Sequence, residues 1–481
     1  MDFKQKILLF LTFFGLFLLV YKPHFSYPYP FHVDEWHHIT EGLRFTSPSA
    51  YFDYLSPELS RRFSGLEVGF HAFLALISFF TDLVLSYKFF PALWAVLGGL
   101  ALFYIVYKKT NNNFFISWLS LVFFAAIKSN TNLLGLWFFT PLTFALPLIF
   151  LYFYFFEKGV NETNKKYILI SLGLMLFLIP FHPLSVLFSL PIILIYSAIN
   201  YRFWMREKIL LIFLLVSGLL GVLFFGLILK LDFWQTWQKL FSSLVFYHGW
   251  GVLETNNSFF ELYNWLAWMF AFGGVFYLFY TKKTRGNLLF FIWPFYLLML
   301  VIFYKITGVS FISPFQRNLF YLSISLPFLS ALGLNFLIDF LKSKGFLKVT
   351  IFTFVLPLVF LVIFINYYKL DEKFELYKVI NKESYQTLKA LKIYEPTIVM
   401  ADPYLSTALF PLSFHEPVGS IAFYGNRKDV ENFYLQKDCK VKKDILTKYG
   451  VKYYITTVKD SCNFGDVLIY EGGRYIYEFK P

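Results

Sequence analysis

Long apolar runs alternate with short polar connections along the chain, and this pattern predicts a bundle of membrane-spanning helices. Each of these runs is apolar over most of the roughly 20 residues that a helix needs to cross the hydrocarbon layer. We expect about eleven spans in all. Their predicted positions are residues 6–21, 88–107, 113–128, 134–156, 167–180, 183–199, 208–229, 259–280, 287–304, 318–341 and 347–366.

Composition supports a membrane protein. The 481 residues are 58% hydrophobic and only 15% charged, so no ordinary water-exposed surface can be built from them. The net charge of +13 comes from Lys and Arg clusters between the spans, which fall in alternate connections and set orientation. No basic stripe interleaved with aromatic residues stands in a soluble segment, so nucleic acid is not expected as a partner.

The charge pattern also predicts the domain organisation. The basic clusters alternate only if residues 66–86 lie along the membrane interface as a juxtamembrane helix. The N-terminus is then cytoplasmic, and the first outer loop, 22–87, and the tail, 367–481, are extracytoplasmic. We therefore expect a polytopic α-helical membrane module at 1–366, which includes that loop, and a small C-terminal α/β domain at 367–481.

The tail has mixed helical and strand patterns. We predict helices at about 382–392, 426–435 and 442–449, strands at 397–401 and 451–457, and a hairpin turning at Gly472-Gly473. No glycine-rich phosphate loop opens these helices, so the tail is expected to be a lid or an acceptor-binding cap. Cys439 and Cys462 both lie in the tail, where an oxidising compartment would allow pairing; the spacing leaves pairing open.

The stretch FHVDEWHHITEG, residues 31–42, concentrates ionisable side chains just after the first apolar run. If residues 33–45 are helical, acidic and imidazole side chains share one face: Asp34, His37, His38 and Glu41. The opposite stripe suits the membrane interface: Trp36, Ile39 and Leu43. This polar face either simply contacts water or takes part in catalysis. A helix at the membrane interface usually carries Lys and Arg against anionic lipid, so an acidic, histidine-rich face favours a catalytic role.

A carboxylate here can act as a general base. Glu35 points about 100° away from Asp34 on a helix, so the two acids have different roles, and Asp34 is the expected base. The DEWHH order is also similar to a zinc-peptidase helix in which Asp34 and His38 are ligands and Glu35 activates water. A divalent ion on Asp34 or His38 that aids another reaction is a further alternative. No cofactor is required by the sequence.

Taken together, this layout resembles the GT-C superfamily of polyprenyl-phosphate-sugar-dependent glycosyltransferases, which includes protein O-mannosyltransferases and aminoarabinose transferases of lipid A. The resemblance implies that an acid of the first outer loop is the catalytic base, and Asp34-Glu35 stands there. KFFPALWAVLGGLALFYIVYKK, 88–109, resembles the second membrane helix, with Lys88 where an arginine is often found. SPFQRNLFYLSISLPFLSALG, 313–333, is similar to an Arg-led helix that places Arg317 near the donor phosphate.

Two further segments bear on the resemblance. VMADPYLSTALFPLSFHEPVG, 399–419, resembles the soluble domain of prokaryotic members. The His-Pro-Pro signature of the O-mannosyltransferase branch is replaced by GLEVGFHAFLAL, 65–76, so the resemblance leaves open whether the acceptor is a lipid, glycan or protein.

The expected function is sugar transfer from a polyprenyl-phosphate donor to an acceptor hydroxyl at the outer membrane surface. Arg317 and Lys88 are expected to bind the donor phosphate, because cations stabilise the departing group. Supporting roles in substrate binding are expected for six residues: His37, His38, Glu41, Glu67, His71 and His182. Alternatives are an oligosaccharyltransferase or glycan polymerase that uses a longer lipid-linked donor, and a transporter of lipid-linked sugars.

Overall fold

A computed structural model describes residues 1–46, 67–129, 135–242, 244–246, 259, 263–281, 285–344, 378–421 and 425–480. The helices are α1 (Phe3–Tyr21), α2 (Val33–Phe45), α3 (Val68–Ser78), α4 (Leu83–Ser86), α5 (Phe90–Lys109), α6 (Phe114–Ala125), α7 (Pro141–Asn161), α8 (Lys165–Leu178), α9 (Pro183–Ile199), α10 (Tyr201–Arg206), α11 (Lys208–Leu229), α12 (Phe233–Ser242), α13 (Trp265–Tyr280), α14 (Leu288–Thr307), α15 (Phe315–Ser325), α16 (Pro327–Ser343), α17 (Lys382–Leu391), α18 (Pro403–Ser413), α19 (Arg427–Leu435) and α20 (Cys439–Lys448). The strands are β1 (Val245–Phe246), β2 (Ser310–Phe311), β3 (Ile398–Met400), β4 (Glu416–Pro417), β5 (Tyr453–Thr456), β6 (Gly465–Glu471) and β7 (Arg474–Phe479).

The chain forms two compact units that do not follow the predicted division at residue 366. The helical unit comprises Met1–Pro23 and Phe89–Asp371, and the loop–tail unit comprises His24–Lys88 and Glu372–Pro481. The sequence analysis placed the first loop, 22–87, with the membrane module. In the structure, the described part of that loop packs with the tail.

Each predicted membrane span that lies in the described residues overlaps a helix. Five described segments are long and apolar enough to cross a bilayer: Phe3–Phe25, Leu83–Lys109, Pro141–Asn161, Leu288–Thr307 and Phe315–Ser343. The predicted span at 347–366 lies outside the described residues. The α3 helix has 11 residues, which is too short for a crossing of roughly 20 residues and fits an interfacial helix.

Within the helical unit, α13 and α16 pack closely through glycines. A Cβ atom on Gly274 would overlap the carbonyl of Leu329, and one on Gly333 would overlap the carbonyl of Phe270. The hydroxyl of Ser330 donates to the Ala267 carbonyl at 2.9 Å. Small residues allow such close approach in membrane helices, where packing and interhelical hydrogen bonds hold the helices together.

A five-stranded sheet organises the tail, in the order β4-β3-β5-β7-β6. The β3 strand is parallel to β4 and β5, whereas β5, β7 and β6 are antiparallel. The hairpin between β6 and β7 turns at Gly472 and Gly473 with φ of +59° and +72°, as its glycine pair predicts. A disulfide joins Cys439 and Cys462.

The sequence analysis missed α18 and β4. Asp402 begins α18 by accepting hydrogen bonds from the amides of Tyr404 (3.2 Å) and Leu405 (3.0 Å), and Pro403 occupies the first turn. An Asp-Pro pair before an apolar run is a recognised helix start. The helix was overlooked because its residues are buried on every side and show no amphipathic period.

Contacts between residues far apart in sequence join the loop to the tail. The Tyr27 hydroxyl donates to the Ile380 carbonyl at 2.8 Å, the Tyr29 ring stacks on Tyr385, and Asp82 lies 3.6 Å from Lys389. These contacts cross more than 300 residues of sequence, which is why local patterns gave no sign of the pairing.

Candidate functional site

The acidic pair at the start of α2 is divided into two environments. The Glu35 carboxylate is fully buried and accepts hydrogen bonds from the amides of Phe31 (2.8 Å) and His32 (3.2 Å). It therefore satisfies amide donors just before the helix. Asp34 keeps 25% of its side chain exposed, and its carboxylate lies 3.5 Å from His32 Nδ1. Of the two acids, Asp34 is therefore the one that solvent can reach.

The predicted interfacial stripe on α2 is wrong for two of its three residues. Trp36 and Ile39 are fully buried, and the Trp36 indole donates to the Pro30 carbonyl at 3.0 Å. The helix packs against α3 on one side and α18 on another. At Gly42 an added Cβ would meet the Leu74 Cβ at 2.7 Å, so α2 and α3 are in close contact. The loop helix is thus an internal element of the loop–tail unit.

Histidines from α2 and α3 meet beside α2. The Nδ1 atom of His38 lies 3.1 Å from Nε2 of His71, and Nε2 of His38 lies 3.9 Å from a Glu67 carboxylate oxygen. The His37 ring centre is 5.4 Å from that of His38. Burial lowers the pKa of His71 to about 3, so its imidazole is neutral at physiological pH. These residues were predicted separately, and the structure brings them together.

The His38–Glu67–His71 cluster has the donor set of a metal centre. One ligand atom from each residue lies within 4.8 Å of the others. The Nδ1 atom of His71 is buried without a hydrogen-bond partner among the described residues. Zinc ligands at about 2.1 Å in tetrahedral geometry lie about 3.4 Å apart, so a bound ion would contract the cluster slightly. Neutral imidazoles and a carboxylate suit a divalent transition metal. Of the predicted metal residues, the structure includes His38 in this group and does not include Asp34.

A buried ion network lies one turn further along α2. Arg44 pairs with Glu416 of β4, its Nη1 atom lies 3.8 Å from Glu41, and its guanidinium stacks 4.5 Å from the Phe410 ring centre. Glu41 and Arg44 are 1% exposed, and Glu416 is 5% exposed. Glu41 was predicted as a supporting residue. Arg44 and Glu416 were missed, because only the (i, i+3) spacing of Glu41 and Arg44 was visible in sequence.

In the helical unit, His182 belongs to a second polar cluster. It precedes α9, and its Nδ1 atom lies 2.6 Å from the Ser185 hydroxyl, which lies 3.0 Å from the Tyr321 hydroxyl. Burial, and to a lesser extent the charge of Arg317, lowers the pKa of His182 to about 3. Arg317 is half-buried in the first turn of α15, whose start is fixed by Asn318 contacts to Ser310 and Ser313. The structure therefore brings His182 and Arg317 into one electrostatic environment.

Lys88 belongs to the loop–tail unit, in a 3-10 turn at Tyr87–Phe89. In the same unit, the Nδ1 atom of His24 lies 3.0 Å from the Tyr27 carbonyl. The two predicted phosphate-binding cations, Lys88 and Arg317, are thus in different units.

An apolar cavity of about 590 Å³ opens on the helical unit. Pro147 interrupts α7 beside it, and such a proline bends a helix. The lining is aromatic and aliphatic: Trp94, Leu97, Leu100, Ala101, Tyr104, Phe144, Pro147, Leu148, Leu151 and Phe177. Three of these side chains, Leu97, Leu100 and Tyr104, are more than 40% exposed on a segment that is long and apolar enough to cross a bilayer.

Solved structures of an aminoarabinose transferase and of archaeal oligosaccharyltransferases are similar to this chain in fold, so the resemblance seen in the sequence is confirmed at the level of fold. ArnT from Cupriavidus metallidurans, an aminoarabinose transferase, is similar in structure with a TM-score of 0.58 and 12% identity, over 97% of this chain and 96% of that one.

Archaeal oligosaccharyltransferase structures are also similar. The Archaeoglobus fulgidus AglB enzyme in complex with an inhibitory peptide and a dolichol-phosphate gives a TM-score of 0.53 at 12% identity, over 94% of this chain and 69% of that one. An Archaeoglobus fulgidus oligosaccharyltransferase in complex with zinc and sulfate gives a TM-score of 0.55 at 12% identity, over 92% of this chain and 67% of that one. No protein-family model and no curated protein matches the sequence.

Proposed function

We propose that this protein is a membrane glycosyltransferase that moves a sugar from a polyprenyl-phosphate donor to an acceptor hydroxyl on the extracytoplasmic side. The observation that carries the proposal is the difference between the two neighbouring acids: Glu35 is held by backbone amides, whereas Asp34 is 25% exposed in the first turn of the helix that carries His38. The GT-C fold supplies the context, since its solved examples include enzymes bound to a lipid phosphate and to peptides.

In the proposed reaction Asp34 accepts the proton of the acceptor hydroxyl. The oxygen forms a bond to C1 of the sugar, and the bond from C1 to the phosphate oxygen breaks with its electron pair on the phosphate. Arg317 belongs to the helical unit, and it stays a proposed phosphate-binding residue on its chemistry alone, because a planar guanidinium can donate two hydrogen bonds to phosphate oxygens. His182 and Tyr321 are proposed to orient groups near Arg317, in keeping with their shared cluster.

We further propose that His38, Glu67 and His71 hold a divalent metal ion. When bound, such an ion stabilises negative charge on phosphate oxygens. The support is the donor set of the cluster and the neutrality of His71. An Archaeoglobus fulgidus neighbour that carries zinc and sulfate has the same fold.

A second candidate is transfer of a longer lipid-linked glycan, which the archaeal oligosaccharyltransferase neighbours favour. To separate the two candidate functions, a lipid-linked donor with one sugar and a lipid-linked donor with several sugars are each supplied to the same protein preparation. Turnover of the single-sugar donor supports the first candidate, and turnover of the longer donor alone supports the second.

The decisive experiment measures polyprenyl phosphate released by purified protein in lipid nanodiscs. Asp34→Asn and Glu35→Gln form a matched pair, since each removes one negative charge at neighbouring positions. Glutamine at 35 can still accept the two amide hydrogen bonds, so α2 should stay in place. We expect loss of turnover by at least a factor of about 100 in Asp34→Asn, with donor binding kept, and a smaller loss in Glu35→Gln. Unchanged turnover in both variants would remove the mechanism.

A further inference from the structure

The tail reaches the histidine cluster through a chain of buried charges. Glu416, in β4, pairs with Arg44 in α2, and Arg44 lies 3.8 Å from Glu41 one turn earlier on the same helix. Arg44 and Glu41 lie on α2, the helix that also carries His38, and the His38 Nδ1 atom lies 3.1 Å from Nε2 of His71. The Arg44–Glu416 ion pair therefore joins the tail to the helix that carries a proposed metal ligand, within one unit.

The geometry makes Arg44 sensitive to its tail partner. Its guanidinium is 1% exposed and stacks on Phe410 of α18, so it has no access to bulk water if an ion pair is lost. Removing one partner of a buried ion pair leaves an uncompensated charge, and the remaining charges rearrange to compensate it. Without the Glu416 charge, Arg44 would move toward Glu41, and α2 would lose its ion pair to the tail.

We propose that Glu416 is a positioning residue for the candidate active site, acting through Arg44 on helix α2, which carries His38. The tail then supplies a residue that positions the site, in addition to covering it. The catalytic part of this inference rests on the proposed function, whereas its metal-binding part does not.

The test uses the full chain in nanodiscs with Zn²⁺ as the metal probe. Glu416→Gln removes the charge and keeps the shape. Asp429→Asn is the matched control, because Asp429 accepts hydrogen bonds from Tyr449 (2.6 Å) and Lys448 (3.0 Å) in the same tail, outside the network. We measure Zn²⁺ affinity by competition with a chromophoric chelator, donor kcat and KM, and thermal unfolding.

For Glu416→Gln we expect Zn²⁺ affinity and kcat to fall by about tenfold with donor KM unchanged, as for outer partners of metal ligands. Glu416→Asp should recover part of both, and Asp429→Asn should lower the unfolding temperature alone. If Glu416→Gln does not fold, Arg44→Lys is measured in its place. Lysine keeps the positive charge but cannot donate two parallel hydrogen bonds as the planar guanidinium does, so we expect the same fall in Zn²⁺ affinity.

Two results would overturn the inference. One is a destabilised Glu416→Gln protein with wild-type Zn²⁺ affinity and kcat, which would make the network a structural contact only. The other is a wild-type protein that neither binds Zn²⁺ nor releases polyprenyl phosphate, because there would be no site to position. Wild-type protein that binds Zn²⁺ without any turnover would refute the proposed function alone, and the affinity comparison would still decide the role of Glu416.

Discussion

At the scale of single residues, neighbours in sequence have opposite surroundings. Asp34 and Glu35 are adjacent, yet one carboxylate is 25% exposed and the other is fully buried against backbone amides. The helical period predicted that the two acids would differ. It did not show which one the backbone would hold, because that depends on the chain path at residues 31 and 32.

The proposed metal ligands can be separated from the proposed base by substitution. His71→Asn and Glu67→Gln each remove a donor from the cluster, so we expect Zn²⁺ affinity to fall by more than about tenfold in both. Asp34→Asn should leave the affinity within about twofold, since Asp34 lies outside the cluster. Calorimetric titration of purified protein measures these affinities. Equal losses in all three variants would place Asp34 among the ligands.

The buried imidazole of His182 leads us to expect that the stability of the helical unit falls in acid. Its pKa is lowered from 6.5 to about 3 in the fold, so between these values the unfolded chain binds a proton that the folded chain does not. Stability from this group is therefore complete above pH 6.5 and is lost as the pH falls toward 3. From pH 7 to pH 5 the free energy of unfolding should drop by about 2 kcal/mol. After burial, the charge of Arg317 is the second cause that lowers the pKa of His182.

The measurement for His182 compares thermal unfolding at pH 7 and pH 5 in detergent. Buried histidines elsewhere also contribute, so the informative quantity is the difference between wild type and His182→Asn. We expect the variant to be less stable at pH 7 and less sensitive to acid. A variant that loses as much stability as wild type between the two pH values would contradict the assignment.

At the scale of elements, the sequence predicted what local patterns determine. Apolar length gave the membrane helices, and the Gly472-Gly473 pair gave the hairpin. Helix α18 was missed because burial on all sides removes the period on which helix prediction depends. The packing of α2 against α3 and α18 was missed for a different reason: Trp36 and Ile39 are equally consistent with a lipid interface and a protein interior.

The crossing of α13 and α16 gives a prediction with a matched control one residue away. A methyl group on Gly274 would overlap the Leu329 carbonyl, whereas one on Gly273 would sit 3.6 Å from the Gly333 Cα in ordinary contact. Gly274→Ala should destabilise the protein by about 2 kcal/mol, because the helices must separate. Gly273→Ala should be neutral or stabilising by up to about 1 kcal/mol. Thermal unfolding of the two variants tests this prediction. Equal stabilities of Gly274→Ala and Gly273→Ala would mean that α13 and α16 are not in close contact.

At the scale of the whole molecule, the division into units changes the expected role of the tail. The sequence indicated a separate domain at 367–481 that covers or binds an acceptor. The structure instead builds one unit from the first loop and the tail, with Arg44 and Glu416 paired across 372 residues of sequence. Such long-range pairing leaves no local signature, so composition and periodicity alone could not reveal it.

This organisation predicts the outcome of removing the tail. A chain that ends at residue 377 loses Glu416 and the tail partners of Tyr27, Tyr29 and Asp82. Because α2 then lacks the α18 surface against which it packs, we expect loss of both Zn²⁺ binding and polyprenyl phosphate release, with the helical unit still inserted in membranes. Mild reduction of the Cys439–Cys462 disulfide is the control, since it loosens the tail but keeps Glu416. A truncated chain that still binds Zn²⁺ and releases polyprenyl phosphate, but no longer glycosylates an acceptor, would instead make the tail a separable acceptor-binding cap.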